Sequence, residues 1–144
     1  TALTAGFWIG MTAGRLGMAA LGSRIDPERL LWEVSLIAVA ASAFLWVDTF
    51  GVGGFAIPII GLAFSVMFPL AVSRTPHYLG SERTSRVIGY QFAGSSIGAI
   101  TLPALIGVLA DTHGVNIAPP VILATVVAMT LLWGAIRREA QATH

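Results

Sequence analysis

From Val87 to Ala110 the chain carries no charged side chain, and four other stretches come close to that condition. A helix that crosses a bilayer needs about 20 mostly apolar residues. Five segments qualify: 2–21, which contains Arg15; 30–47, which contains Glu33; 52–73, interrupted by Pro58 and Pro69; 87–110; and 117–136, whose Pro119 and Pro120 suit a first helical turn. The expected fold is therefore an all-α integral membrane bundle of five transmembrane helices, a single partial transmembrane domain over 1–144. A soluble domain carries about 25% charged residues, whereas this chain has 10% charged and 56% hydrophobic residues. Its surrounding solvent is expected to be lipid.

The connectors settle which way the spans point. All eight basic residues are arginine. "GSRIDPER" holds Arg24 and Arg29, and "DTFGVGG" holds none. "RTPHYLGSERTSR" holds Arg74, Arg83 and Arg86, and "DTHGVN" again holds none. The tail "RREAQATH" holds Arg137 and Arg138. Such alternation is what the positive-inside rule produces in a multi-span protein. It places the arginine-bearing connectors and the C-terminus in the cytoplasm of a multi-pass protein, expected in a bacterial inner membrane. Five spans then put Thr1 outside. With no signal peptide and a first residue that is not Met, this fits a fragment whose earlier helices, partners of these five, precede it. The arginines are spread rather than clustered, so no nucleic-acid footprint is present.

Gly6, Gly10 and Gly14 stand four residues apart, and Gly94 and Gly98 repeat the spacing in the fourth span. Small residues at this spacing let helix backbones approach in lipid, where apolar surface alone gives little reason to associate. These five glycines are expected at helix contacts, which a conformational cycle could also use as sliding faces. Thr4, Trp8, Thr12 and Arg15 follow another stripe. At 100° per residue, a two-residue offset puts it opposite the glycines.

An arginine facing lipid is costly, so such residues usually face a bundle interior or a cavity. Arg15 lies about 10 Å below the cytoplasmic end and Glu33 about 5 Å below it, at 1.5 Å per residue. The two can pair if their helices are neighbours. The pair is then structural or part of a gate; the alternative is an arginine that snorkels to the interface. In the fourth span Gln91, Gly94, Ser95, Gly98 and Thr101 share one face. Either that face lines a cavity, or its hydroxyls merely bond their own helix. On the cavity reading the candidate substrate contacts are Trp8, Thr12, Gln91 and Ser95.

Enzyme chemistry finds little support. His77, His113 and His144 all lie outside the spans, so no intramembrane haem ligands are paired. There is no zinc spacing, no Ser/His/Asp set, no P-loop and no cysteine. No cofactor or metal is expected. Asp48 and Asp111 fall at external helix ends, where solvation is expected. No acidic residue lies near a span centre, so proton coupling through these helices is not indicated.

The stretch "GRLGMAALGSRIDPERLL" resembles the segment of the major facilitator superfamily that joins its eighth helix, through a cytoplasmic loop, to its ninth. The family segment reads glycine-arginine, a helical turn or two, then aspartate-arginine-x-glycine and a basic residue. Gly14 and Arg15 match its opening, Arg24 the loop arginine and Arg29 the later basic residue. Ser23 stands where the aspartate would be, and Asp26 where the glycine would be. "IGLAFSVMFPLAVSRTPHYLG" resembles the tenth helix of fucose-permease-like members. "SRVIGYQFAGSSIGAITLPALIGVLADTHG" resembles their eleventh. The resemblance covers the whole chain as helices eight to twelve. It implies a secondary transporter of a small solute, such as a sugar or another small organic molecule, working by alternating access. Its cavity would be lined by the first, third and fourth spans, with the second and fifth outside. A membrane scaffold that transports nothing is the alternative; an integral-membrane enzyme would have only His77 and Glu82 to work with on the 74–86 connector.

The topology is checked by single cysteines introduced into the longer parent protein in intact cells. An impermeant thiol reagent is expected to label Asn116→Cys and to leave Ser85→Cys unlabelled. The reverse pattern overturns the orientation.

Overall fold

The starts of two helices and the ends of two others follow from local sequence chemistry. The computed structural model describes residues 1–48 and 51–142, so His144 and part of the 48–52 connector lie outside the described residues. Helix α1 is Ala2–Leu21, and Thr1 caps it by accepting the Thr4 N–H at 3.5 Å. A short 3₁₀ turn, Gly22–Arg24, leads to α2, Pro27–Val47. There Asp26 accepts the N–H groups of Glu28 and Arg29 at 3.4 and 3.2 Å, and Pro27 occupies the first turn, where its missing N–H costs nothing. A second 3₁₀ turn, Gly53–Phe55, opens α3, Ala56–Leu79. Helix α4 is Ser81–His113 and α5 is Ala118–Ala142.

The helices run past the expected span limits. The 74–86 connector is not a loop: α3 continues through Pro69 and Pro76, and α4 starts after a single break at Gly80. Gly80 has φ 69° and Gly114, which ends α4, has φ 82°, a region that glycine enters without steric cost. Pro58 falls in the first turn of α3 and does not interrupt it. Asp111 and His113 are helical, and so is the tail through Ala142. Among the described residues there are five long helices and no strand. Four helical segments, Pro27–Val47, Gly53–Leu79, Glu82–His113 and Val115–Ala142, are long and apolar enough to cross a membrane. Helix α1 is outside that set, its apolarity diluted by Arg15 and its glycines.

Pairwise contacts give the helix directions. Gly6 and Gly10 lie on Pro58, and Gly14 lies on Leu62 and Ser65, so α1 and α3 are parallel. Glu28 at the start of α2 meets Arg74 near the end of α3. Phe92 of α4 stands edge-on to Phe68 of α3 with ring centroids 5.2 Å apart. Tyr78 of α3 and Trp133 of α5 meet likewise at 5.8 Å. The alternation gathers residues 22–29, 74–86 and 137–142 at one end of the bundle. This puts Arg24, Arg29, Arg74, Arg83, Arg86, Arg137 and Arg138 at the same level.

The core is small and lies mainly between α2, α3 and α5. Leu31, Val34 and Ala38 pack on Ala63, Val66, Met67 and Leu70, with Val126 from α5. Outside it, large apolar side chains are exposed in quantity, among them Trp46, Ile100 at 74% and Leu131 at 69%. A water-soluble monomer rarely shows so much, and lipid tolerates it. Several polar side chains in the helices bond their own backbone: Ser35 donates to the Leu31 carbonyl at 2.7 Å, Ser65 to Leu62 at 2.8 Å and Thr130 to Val126 at 2.8 Å. Each hydroxyl is thereby satisfied without water.

The tightest helix contact is the α1–α3 seam. A Cβ at Gly10 would overlap the Pro58 carbonyl oxygen and stand 2.7 Å from its carbon, and one at Gly14 would stand 2.7 Å from the Leu62 carbonyl oxygen. From the other side, Gly61 lies against the backbone of Phe7. The backbones approach because side chains are absent on both helices. The α4 stripe differs. Among the described residues nothing lies within 4 Å of the Cβ positions of Gly94 and Gly98.

Gly10→Ala and Gly14→Ala are expected to destabilise the protein by about 1–3 kcal/mol, since backbone rather than a flexible side chain must move. Gly17→Ala, where nothing lies within 4 Å, is expected to be neutral or stabilising. Thermal unfolding in detergent measures all three; equal midpoints across the set would show that the seam is loose.

Candidate functional site

The arginine-rich end carries the molecule's polar organisation. Glu28 follows the Asp26 cap and Pro27, which places its side chain at the head of α2, level with the ends of α3 and α5. One carboxylate oxygen lies 2.8 Å from Arg137 Nε and the other 3.6 Å from Arg74. The Arg137 contact is an ion pair without hydrogen-bond alignment. Glu28 and Arg74 are 23% and 18% exposed at the side chain, enough burial to weaken solvent screening. Three helices are thus tied at one carboxylate.

Beside this hub a groove of about 730 Å³ opens between α2, α3, α4 and α5. Thr75 and Gln91 face each other across it. Gln91 Nε2 donates to the Thr75 hydroxyl at 3.0 Å, and that hydroxyl donates to the Ala71 carbonyl at 3.2 Å, so its one proton is used once. Tyr78 and Trp133 also line the groove, and neither the Tyr78 hydroxyl nor Trp133 Nε1 has a partner among the described residues. A buried donor left unmade costs about 1–3 kcal/mol. Both atoms are buried in the wall and are not open to the groove.

The residues expected from the sequence fall elsewhere, with one exception. Trp8 is 60% exposed, on the face of α1 away from the seam. Thr12 beside it donates to the Trp8 carbonyl at 2.9 Å. Ser95 is exposed on α4. Gln91 reaches the groove, but Trp8, Thr12 and Ser95 do not. The expected pairing of Arg15 with Glu33 is replaced. Glu33 takes Arg29, its neighbour one turn earlier on α2, at 2.7 Å. The reason is packing: α1 lies along α3, not along α2. Arg15 is exposed and makes no ion pair or hydrogen bond among the described residues. Asp48, expected to be solvated, is exposed and also accepts the Val52 N–H at 3.0 Å. Glu28, Arg74, Arg137, Thr75, Tyr78 and Trp133 were not singled out by sequence. A signal existed for the hub: the arginine-rich connectors and tail also hold Asp26, Glu28, Glu82 and Glu139.

Removing the hub's carboxylate leaves two guanidinium groups facing each other. Glu28→Gln is expected to lower stability by about 1–2 kcal/mol, between the values for exposed and fully buried pairs. Adding Arg137→Gln should then cost less than it does alone. A double-mutant cycle on thermal unfolding gives the coupling; strict additivity would mean that the contacts do not interact energetically.

Comparison with known proteins adds a direction. No protein-family model matches the chain, and no solved structure does. The chain is 33% identical over 113 residues to a glucose/galactose transporter of Brucella abortus biovar 1 (strain 9-941), and equally to that of Brucella abortus (strain 2308); the match covers 78% of this chain. It spans 27% of the length of these curated relatives. With its apolar helices, the chain is a multi-pass, all-α membrane segment similar to part of a bacterial sugar transporter.

Proposed function

We propose that the chain is the C-terminal part of a major facilitator superfamily transporter of the fucose-permease-like kind, its α1 to α5 being helices eight to twelve. The protein moves a small solute, a hexose such as glucose or galactose first among candidates, by alternating access across a bacterial inner membrane with its C-terminus in the cytoplasm. The observation that carries this reading is the 33% identity to glucose/galactose transporters along 78% of the chain. The arginine alternation and the resemblance of the Gly14–Arg29 and Ser85–Gly114 stretches support it from independent residues.

The remaining helices of the same protein meet the faces left open here. Trp8, Thr12 and Arg15 on α1, and Ser95 with Gly94 and Gly98 on α4, lie on such faces. In the whole protein Trp8, Thr12, Gln91 and Ser95 contact the solute, and Gly94 and Gly98 pack against a neighbouring helix. Arg15 acts at the cytoplasmic mouth through a group on those helices. Glu33 contributes through its local pair with Arg29.

The test is uptake of labelled glucose and galactose into proteoliposomes holding the longer parent protein. Concentrative, saturable uptake is expected. Arg15→Ala is expected to lower uptake per folded molecule about tenfold or more, with Arg15→Lys recovering part, because Lys lacks the planar fork of donors. No uptake by the parent would sink the hexose reading. Parallel losses of abundance and uptake in Arg15→Ala would make Arg15 purely structural.

A further inference from the structure

On the side of α5 away from the 730 Å³ groove lies a second one, of about 380 Å³, between α5 and the start of α2. Its floor is apolar, with Leu131 and Gly134. Its upper rim holds Arg137, Arg138 and Gln141, and Trp32 of α2 closes one side. From Thr130 to Gln141 the lining residues rise along one face of α5 over about 16 Å, at 1.5 Å per residue. Over that distance the wall changes from hydrocarbon to two guanidinium groups and an amide.

The glycine creates the space. A Cβ at Gly134 would already be in van der Waals contact with the Trp32 ring, at 3.5 Å, so any larger side chain would fill the groove beside it. The charge balance is the second observation. Arg137 is neutralised by Glu28, whereas Arg138 makes no ion pair or hydrogen bond among the described residues. Among the described residues no carboxylate lines the groove. It therefore holds one uncompensated positive charge at the level where the exposed apolar side chains of α5, Leu131 on this side and Leu132 and Ile136 on the side of the first groove, give way to polar side chains. Tryptophan is itself a residue of the membrane–water boundary.

We propose that this groove binds the headgroup of an anionic phospholipid. The phosphate sits between Arg138 and Gln141, the glycerol region lies over Gly134 against the Trp32 ring, and an acyl chain descends past Leu131. Basic pockets between membrane helices hold anionic headgroups in this manner. That this face of α2 and α5 meets lipid rests on the proposed function, in which the second and fifth spans lie outside; the lipid test below does not require transport.

The experiment is native mass spectrometry of the longer parent protein, released from detergent after incubation with equal amounts of phosphatidylglycerol and phosphatidylcholine. Phosphatidylglycerol adducts are expected to dominate. Arg138→Gln is expected to reduce them about fivefold, the effect of one basic group near an anionic lipid surface, and to leave phosphatidylcholine adducts unchanged. Gly134→Leu, which fills the groove without changing charge, should reduce them as well. Arg24→Gln, exposed and outside the groove, should not. Equal retention of the two lipids, or phosphatidylglycerol retention that neither groove variant alters, overturns the proposal. So does displacement of the lipid by millimolar inorganic phosphate, which would mean that the site reads a free anion.

Discussion

The contact between α1 and α3 sets the geometry of the bundle. Helices in lipid gain little from hiding apolar surface, because the surroundings are as apolar as the side chains. What holds them is dispersion between atoms in close contact, and that falls away within an ångström. Gly10 and Gly14 on one helix and Gly61 on the other remove the side chains that would keep the backbones apart. Once α1 lies on one side of α3, the other side is left to α2, and the core of Val34, Ala38, Ala63 and Met67 forms there. Helix α5 then closes over α2 through Val126.

Polar groups follow a different rule. Within the spans several bond their own helix, as Ser35, Ser65 and Thr130 do, or reach one neighbour, as Gln91 does with Thr75, whereas Ser42 Oγ, the Tyr78 hydroxyl and Trp133 Nε1 are buried without a partner among the described residues. Ionised groups collect where the spans end. There Glu28 is shared between Arg74 and Arg137 and ties three helices at the level where lipid gives way to water. Seam and hub act at different depths. The seam holds α1 to α3 along the half of both helices farther from the arginine-rich end, and the hub joins α2, α3 and α5 at the basic end. Helix α4 belongs to neither and touches the rest chiefly through Phe92 and Gln91. Its stretch from Phe92 to Thr101 is exposed.

The outline of the fold was legible because it depends on composition along single segments. Runs without charge gave the helices, and arginine counts gave their alternation, since both are properties of one stretch and its connectors. Helix ends were less legible. The 74–86 segment is polar and contains Pro76, yet it is helical, because a helix that leaves the membrane can continue in water and the break falls at Gly80. Of the site, Gln91 could be named from its stripe, but Gly94, Ser95, Gly98 and Thr101 of the same stripe do not line the groove. The Arg15–Glu33 pair could not be judged, because sequence depth alone does not say which helices are neighbours.

That difference has one physical origin. Hydropathy, the spacing of Gly6, Gly10 and Gly14, and the positions of Arg24, Arg29, Arg74, Arg83, Arg86, Arg137 and Arg138 are local. They determined by themselves that the chain is a membrane bundle of alternating helices with one basic end. The choice of partners is not local. Which glycine stripe finds a mate, that Glu28 serves Arg74 and Arg137 while Glu33 stays with Arg29, and that Trp32 and Gly134 leave a groove between them were decided only by tertiary packing. Short-range contacts between helices depend on every backbone position at once, and no single segment contains that information.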